Sequence, residues 1–168
     1  MKIGLISDTH GILDREFRGF LEPVDEIWHA GDWGGGEEFL QNFKALGKPI
    51  VGVYGNCDGA PFRYEFPEYQ CFMREGLKVL MTHIGGYPGR YDPSARRVIM
   101  EEKPGLFVCG HSHILKIQWD DRFRMLTLNP GAAGLQGWQV VRTALRFDIS
   151  GGEISAMEIF KLPRPLRG

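Results

Sequence analysis

At 168 residues the chain has room for one domain with a substantial core and is short for two. Hydrophobic residues make up 43% and charged residues 24%, the balance of a folded globule rather than a disordered segment. Lys and Arg number 20 against 21 Asp and Glu, a formal charge of −1, so no electrostatic grip on long nucleic acid is expected.

KIGLIS (2–7) is a short apolar run ending in polar residues, as a buried strand would be. Ile12, Leu13, Phe17, Phe20 and Leu21 recur at helical spacing and predict a helix over 12–21, closed by Pro23. EIWHA (26–30) reads as a second strand, EEFLQNFKAL (37–46) as a helix stopped by Gly47 and Pro49, and PIVGVY (49–54) as a third strand. This βαβαβ order predicts a parallel sheet with helices on its faces. The pattern then changes. YQCFMRE (69–75) and LKVLMTH (77–83) flank Gly76 and predict an antiparallel pair. A glycine-rich loop (84–93) leads into a helix over 94–103. Strands follow at 105–110, 114–120, 123–129, 138–149 and 153–162, with turns at Asp120-Asp121 and Gly151-Gly152. A strand-rich second half implies two packed sheets with helices outside. The chain reads as one domain over 1–168, with a loose tail from about 163.

No run is apolar enough to span a bilayer. MKIGLISDTH carries Asp8 and His10 where a signal peptide needs continuous apolar residues, so a cytoplasmic protein without a membrane partner is expected. Cys57, Cys71 and Cys109 form no CxxC pair and read as reduced thiols, with Cys109 of LFVC a core residue.

Metal-binding residue types gather where the apolar runs end. SDTH (7–10), AGDW (30–33) and GNCD (55–58) follow the first three predicted strands, MTH ends at His83, and CGHSH (109–113) follows a later run. Carboxyl ends of parallel strands line one rim, where ligands bind. Asp8, His10, Asp32 and Asn56 are thereby delivered to one place. In extended backbone Asp8 and His10 would point to the same side and grip one centre. His111 and His113, also two apart, could do likewise or reach different ions. Singly these pieces are weak, since Asp32 could cap a helix and HSH could be a solvated turn. Jointly they are strong, because four of the five histidines fall in these loops.

DTH, GD, GNCD, TH and GHSH in this order resemble the calcineurin-like metallophosphoesterase superfamily, and its small single-domain phosphodiesterases in particular, over Ile3 to about Ala133. The resemblance implies an α/β fold, a four-layer α-β-β-α sandwich of two mixed sheets. It implies a dinuclear centre of two divalent ions, one held by Asp8, His10 and His113, the other by Asn56, His83 and His111, bridged by Asp32. Asp32, Asn56 and His83 are then the catalytic candidates. The implied reaction is phosphodiester hydrolysis by hydroxide bound to the metal pair. Two carboxylates leave two divalent ions about +2 by ionic counting, which suits an anionic ester. Imidazole and oxygen donors suit manganese, the first choice, and also nickel, zinc or iron.

Most of the superfamily has histidine where this chain has Cys57. A thiol is a weak donor, so Cys57 reads as filler, and esters with good leaving groups should react relatively faster. Arg90, in GGYPGRYDP (85–93), is a candidate contact for the substrate phosphate. His29 reads as a core histidine or as support for a ligand. The expected partner is a small phosphoester, with a homo-oligomer possible. The alternatives are a non-catalytic metal-binding scaffold of the same fold, a phosphomonoesterase, or a nuclease acting on nucleotide ends.

Overall fold

The computed structural model of the chain describes residues 1–165. Its first sheet is built from β1 (Lys2–Ile6), β2 (Glu26–His29), β3 (Ile50–Gly52), β11 (Val141–Ser150) and β12 (Glu153–Pro163) in the order β12-β11-β1-β2-β3. β1, β2 and β3 are parallel, while β11 and β12 run antiparallel to their neighbours. The second sheet contains β4 (Tyr69–Arg74), β5 (Leu77–Thr82), β8 (Leu106–Val108), β9 (Leu115–Asp120) and β10 (Met125–Pro130), ordered β4-β5-β8-β10-β9. Here β5, β8 and β10 are parallel and the two edge strands antiparallel.

Side-chain alternation splits each strand between two cores. Ile3, Leu5 and Trp28 meet Val79, Met81, Leu106 and Val108 between the sheets. On the opposite face of the first sheet, Ile6 and Ile27 meet Phe17 and Leu21 of α1 (Arg15–Leu21) and Leu40 and Phe43 of α2 (Gly36–Lys44). Phe62 of α3 (Phe62–Glu65) joins them. Beyond the second sheet, Leu80 and Phe107 meet Ala95 and Ile99 of α4 (Pro93–Glu102). Three cores between four layers make the α-β-β-α sandwich that the sequence predicts.

The local signals act as expected where nothing competes. Glu75 and Gly76, with φ of 47° and 82°, close the β4–β5 hairpin in two residues. Asp92 caps α4 by accepting from the Ser94 and Ala95 amides at 2.9 and 3.1 Å, with Pro93 at the first helical position.

Four expectations are corrected. The first helix begins at Arg15, not Ile12, because residues 8–13 form turns beneath His10; Ile12 N–H bonds to Thr9 O at 3.0 Å. The strand expected from Trp138 begins at Val141, and Trp138 is 99% exposed. The 84–93 loop contains a small ribbon of β6 (Gly86–Tyr87) and β7 (Arg90–Tyr91). Finally, β12 continues to Pro163, and Arg164 bonds the carbonyls of Leu135, Gly137 and Gln139, so the tail expected from 163 is anchored through Arg164. Residues 166–168 of that expected tail lie outside the described residues.

Candidate metal centre

The six predicted carboxylate and imidazole ligands fall into two adjoining clusters. Asp8, His10 and His113 bring donor atoms together within 4.8 Å, as do Asp32, His83 and His111. The clusters share a boundary. Asp32 Oδ2 lies 3.2 Å from His83 Nε2 and 4.0 Å from His10 Nε2, and Asp8 Oδ1 lies 3.1 Å from His113 Nε2 and 3.9 Å from His83 Nε2. His111 and His113 therefore join different clusters. Asn56 lines a cavity with His83, and its amide donates to the Cys57 thiol at 3.6 Å. Arg90 stands farther out on β7 and is exposed.

The residues converge by a different backbone from the extended one expected. Asp8, His10, Asp32, His111 and His113 all have positive φ, between 46° and 68°. Side chains other than glycine adopt this left-handed region at a cost of about 1–2 kcal/mol each. Asp8 and His10 thus meet through consecutive turns rather than by strand alternation. Five such residues at one rim indicate that the surrounding fold over-determines their positions.

Each carboxylate is held by one oxygen and presents the other. Asp8 Oδ2 accepts from Ser7 Oγ at 2.6 Å and from the His111 backbone N–H at 3.1 Å. Asp32 Oδ1 accepts from the Cys57 backbone N–H at 2.8 Å. Two glycines make this packing possible. A Cβ on Gly55 would lie 2.1 Å from Asp32 Oδ1, and one on Gly31 would lie 2.6 Å from His83 Nδ1. His83 bonds through Nδ1 to the Ala30 carbonyl at 2.7 Å, which fixes the ring and turns Nε2 inward as the bare nitrogen.

Three buried atoms in this pocket have no hydrogen-bond partner: Asp8 Oδ1, His10 Nε2 and His83 Nε2. Orphaned buried acceptors are costly and rare in native structures, and a divalent cation satisfies oxygen and bare imidazole nitrogen together. The donor set fits a metal. The field around it is negative. Burial opposes ionisation of Asp32, yet the adjacent His83 imidazole and the Cys57 amide hold its carboxyl well below the usual carboxylate range. The Asp8 carboxylate beside it raises the basicity of His113. His83 is raised as well, because Asp32 and Asp8 overcome its burial. At His10 burial prevails and lowers it.

Supporting residues that carry no ligand signature in sequence complete the site. Trp33 lies flat between His29 and Phe66, with ring centroids 3.7 and 4.5 Å away, and its Nε1–H donates to Val53 O at 2.8 Å. His29 is buried; its Nδ1 accepts from Gly31 N–H at 3.1 Å and its Nε2 meets Thr9 Oγ1 at 2.9 Å. Burial holds its pKa well down, so the ring is neutral and braces both the Thr9 and Gly31 turns. Asp58, the last residue of GNCD, accepts from Gly34 N–H at 3.2 Å and Gly55 N–H at 2.8 Å, clipping two ligand loops together. Asn129 donates to Gly110 O and Ser112 Oγ at 2.9 and 3.0 Å, steadying the His111–His113 turn. The Asx-type roles of Asp58 and Asn129 were open to inference from their turn-rich contexts; the Trp33 stack was not.

Residues 1–152 match the family model of the calcineurin-like phosphoesterase superfamily domain. No curated protein matches the chain. Among solved structures, an archaeal phosphodiesterase is 23% identical, with 95% of this chain and all of that one covered and a TM-score of 0.73. Entamoeba histolytica Vps29 complexed with zinc is 17% identical, with 97% and 99% covered and a TM-score of 0.73. A predicted phosphoesterase from Streptococcus pneumoniae is 20% identical, with 97% and 89% covered and a TM-score of 0.65. At these identities the likeness is one of fold.

Proposed function

The chain belongs to the calcineurin-like phosphoesterase superfamily, and from that membership we propose that it is a metal-dependent phosphodiesterase acting on a small ester. The observation carrying this reading is the convergence of Asp8 Oδ1, His10 Nε2 and His83 Nε2 as buried, unpartnered donors. Asp8, His10 and His113 would hold one divalent ion; Asn56, His83 and His111 would hold another, with Asp32 shared. Such a pair supplies Lewis-acid activation of water and neutralises charge building on the phosphoryl oxygens.

The protein's own part is placement. Ser7 and the His111 amide aim Asp8, the Cys57 amide aims Asp32, and Ala30 O aims His83. Hydrolysis forms a bond from water oxygen to phosphorus and breaks the bond from phosphorus to one ester oxygen, which takes up the proton. Ser7, the serine beside Asp8, is fully buried and spends its hydroxyl proton on that carboxylate. Cys57 is an exposed thiol that burial of its sulfur and the Asp32 charge push above its ordinary pKa, the opposite of an activated nucleophile. An open cavity of about 450 Å³ beside Asn56 and His83 leaves space for an ester arm.

The test is to load purified protein separately with manganese, nickel, zinc and magnesium and assay activated diesters and monoesters. Metal-dependent turnover favouring diesters is the expected result. Tight metal binding with no turnover of any ester would favour the interaction-scaffold reading suggested by the fold likeness to Vps29. We also propose manganese as the most active metal and the cytoplasm as the protein's location; no helix among the described residues is long and apolar enough to cross a membrane.

A further inference from the structure

Two cavities open beside the metal cluster, and their charges differ. The first, about 450 Å³, is lined by Asn56 and His83 and carries two carboxylates, Glu68 and Asp92, against one guanidinium. That guanidinium, Arg63, is already engaged: it lies 4.4 Å over the Tyr54 ring and donates to the Asp58 carbonyl. Tyr54 Oη in turn donates to Glu68 at 3.5 Å. The second cavity, about 340 Å³, is lined by His111 and carries two cations, Arg90 and Lys116. Its carboxylate, Asp92, caps α4 through one oxygen and lines both cavities together with Ile84.

Arg90 and Lys116 line one wall of this cavity with Tyr87. Tyr87 and Arg90 are cross-strand partners in the β6–β7 ribbon, and Lys116 Nζ lies 4.4 Å from the Tyr87 ring centroid. Among the described residues neither cation takes part in an ion pair, whereas Lys2, Lys44, Arg74, Lys78, Arg142 and Arg146 do. Two unneutralised cations held at one cavity wall, beside the metal cluster, form a receptor for an anion additional to the phosphoryl group itself. The Tyr54 side, with its excess of carboxylate, repels such a group.

Resting on the phosphodiesterase reading above, we infer that the substrate is an asymmetric phosphodiester. One ester arm carries a further anionic group, a carboxylate or phosphate, held by Arg90 and Lys116. The other arm is uncharged and occupies the Tyr54 side.

The test uses the manganese-loaded full chain and two synthetic diesters sharing a 4-nitrophenyl arm. The second arm is a carboxyalkyl group in one and its methyl ester in the other. The carboxylate diester should show a kcat/KM at least about tenfold higher, as charge-assisted hydrogen bonds allow. Arg90→Gln, at an exposed position, should lower that ratio several-fold, and Arg90→Gln with Lys116→Gln should bring it to about one, with circular dichroism confirming folded variants. Equal rates on both diesters in the wild type would overturn this inference alone. A preference that persists in the double variant would overturn it too. No turnover of either diester would overturn the phosphodiesterase reading and this inference with it.

Discussion

The backbone N–H of Cys57 donates to Asp32 Oδ1 at 2.8 Å, while the Cys57 side chain stands exposed. The peptide unit therefore does a positional task in GNCD that does not depend on the thiol. An amide survives any substitution except proline, which explains how a position next to the metal cluster can carry cysteine. What the loop cannot change is its first residue, since any Cβ at Gly55 would overlap Asp32.

Cys57→Ala should keep kcat/KM on an activated diester within about threefold of wild type. Gly55→Ala should lower it at least about a hundredfold, because displacing Asp32 by even an ångström disturbs a preorganised site. Kinetics with metal content measured in parallel check both. A dead Cys57→Ala with full metal content would show that the thiol acts directly.

The two clusters should be separable. His113→Ala and His111→Ala are each expected to bind about one manganese per chain where the wild type binds two, measured by elemental analysis after gel filtration. Asp8→Ala and Asp32→Ala should lose activity at least about a thousandfold, the scale of losing metal-assisted attack. Full occupancy in either histidine variant would remove that residue from the ligand set.

At the opposite end of β2 and β4 from the metal rim, Glu26 is buried and accepts from Trp28 Nε1 at 2.6 Å and from Arg74 Nε at 2.9 Å. Arg74 belongs to the other sheet, so this pair clamps the sandwich across its core. Arg74→Met leaves the carboxylate short of its charged partner and should cost roughly 2 kcal/mol, below the full range for buried pairs because Arg74 is partly solvated. Urea denaturation reads the loss. Diesterase kcat at 25 °C should be unaffected, given the distance from the metal rim.

Thiol chemistry should report burial. Cys109 is enclosed, and burial first, with Asp8's charge adding, pushes its thiol up to about 12. Cys57 and Cys71 are exposed, though burial of the sulfur followed by nearby carboxylates raises both above the ordinary value. The thiolate is the reactive form, and a raised pKa means less of it at a given pH. A thiol reagent at pH 8 should thus modify two sites, at rates still climbing above pH 9, and reach the third on unfolding. Three rapid sites in native protein would contradict the packing of Cys109.

Strand ends were legible because each apolar run stops at a polar residue, as at Ile6 before Ser7 and Asp8. The split of His111 and His113 between the clusters came from the family resemblance and not from spacing, since two residues in left-handed turns do not obey strand alternation. Sequence periodicity overextended α1 because Ile12 and Leu13 have helical spacing but lie in the loop before it, where Leu13 still packs into the core with Phe17 and Leu21. Trp138 imitated a strand start through β-propensity alone, without burial. The Trp33–His29 stack and the Glu26–Arg74 clamp join segments that no local pattern connects.

The most direct measurement is anomalous diffraction at the manganese edge from crystals soaked in manganese. Two peaks about 3.5–4 Å apart are predicted, one touched by Asp8, His10 and His113 and the other by Asn56, His83 and His111, with Asp32 reaching both. A single peak, or none among these side chains, would contradict a paired-metal phosphoesterase.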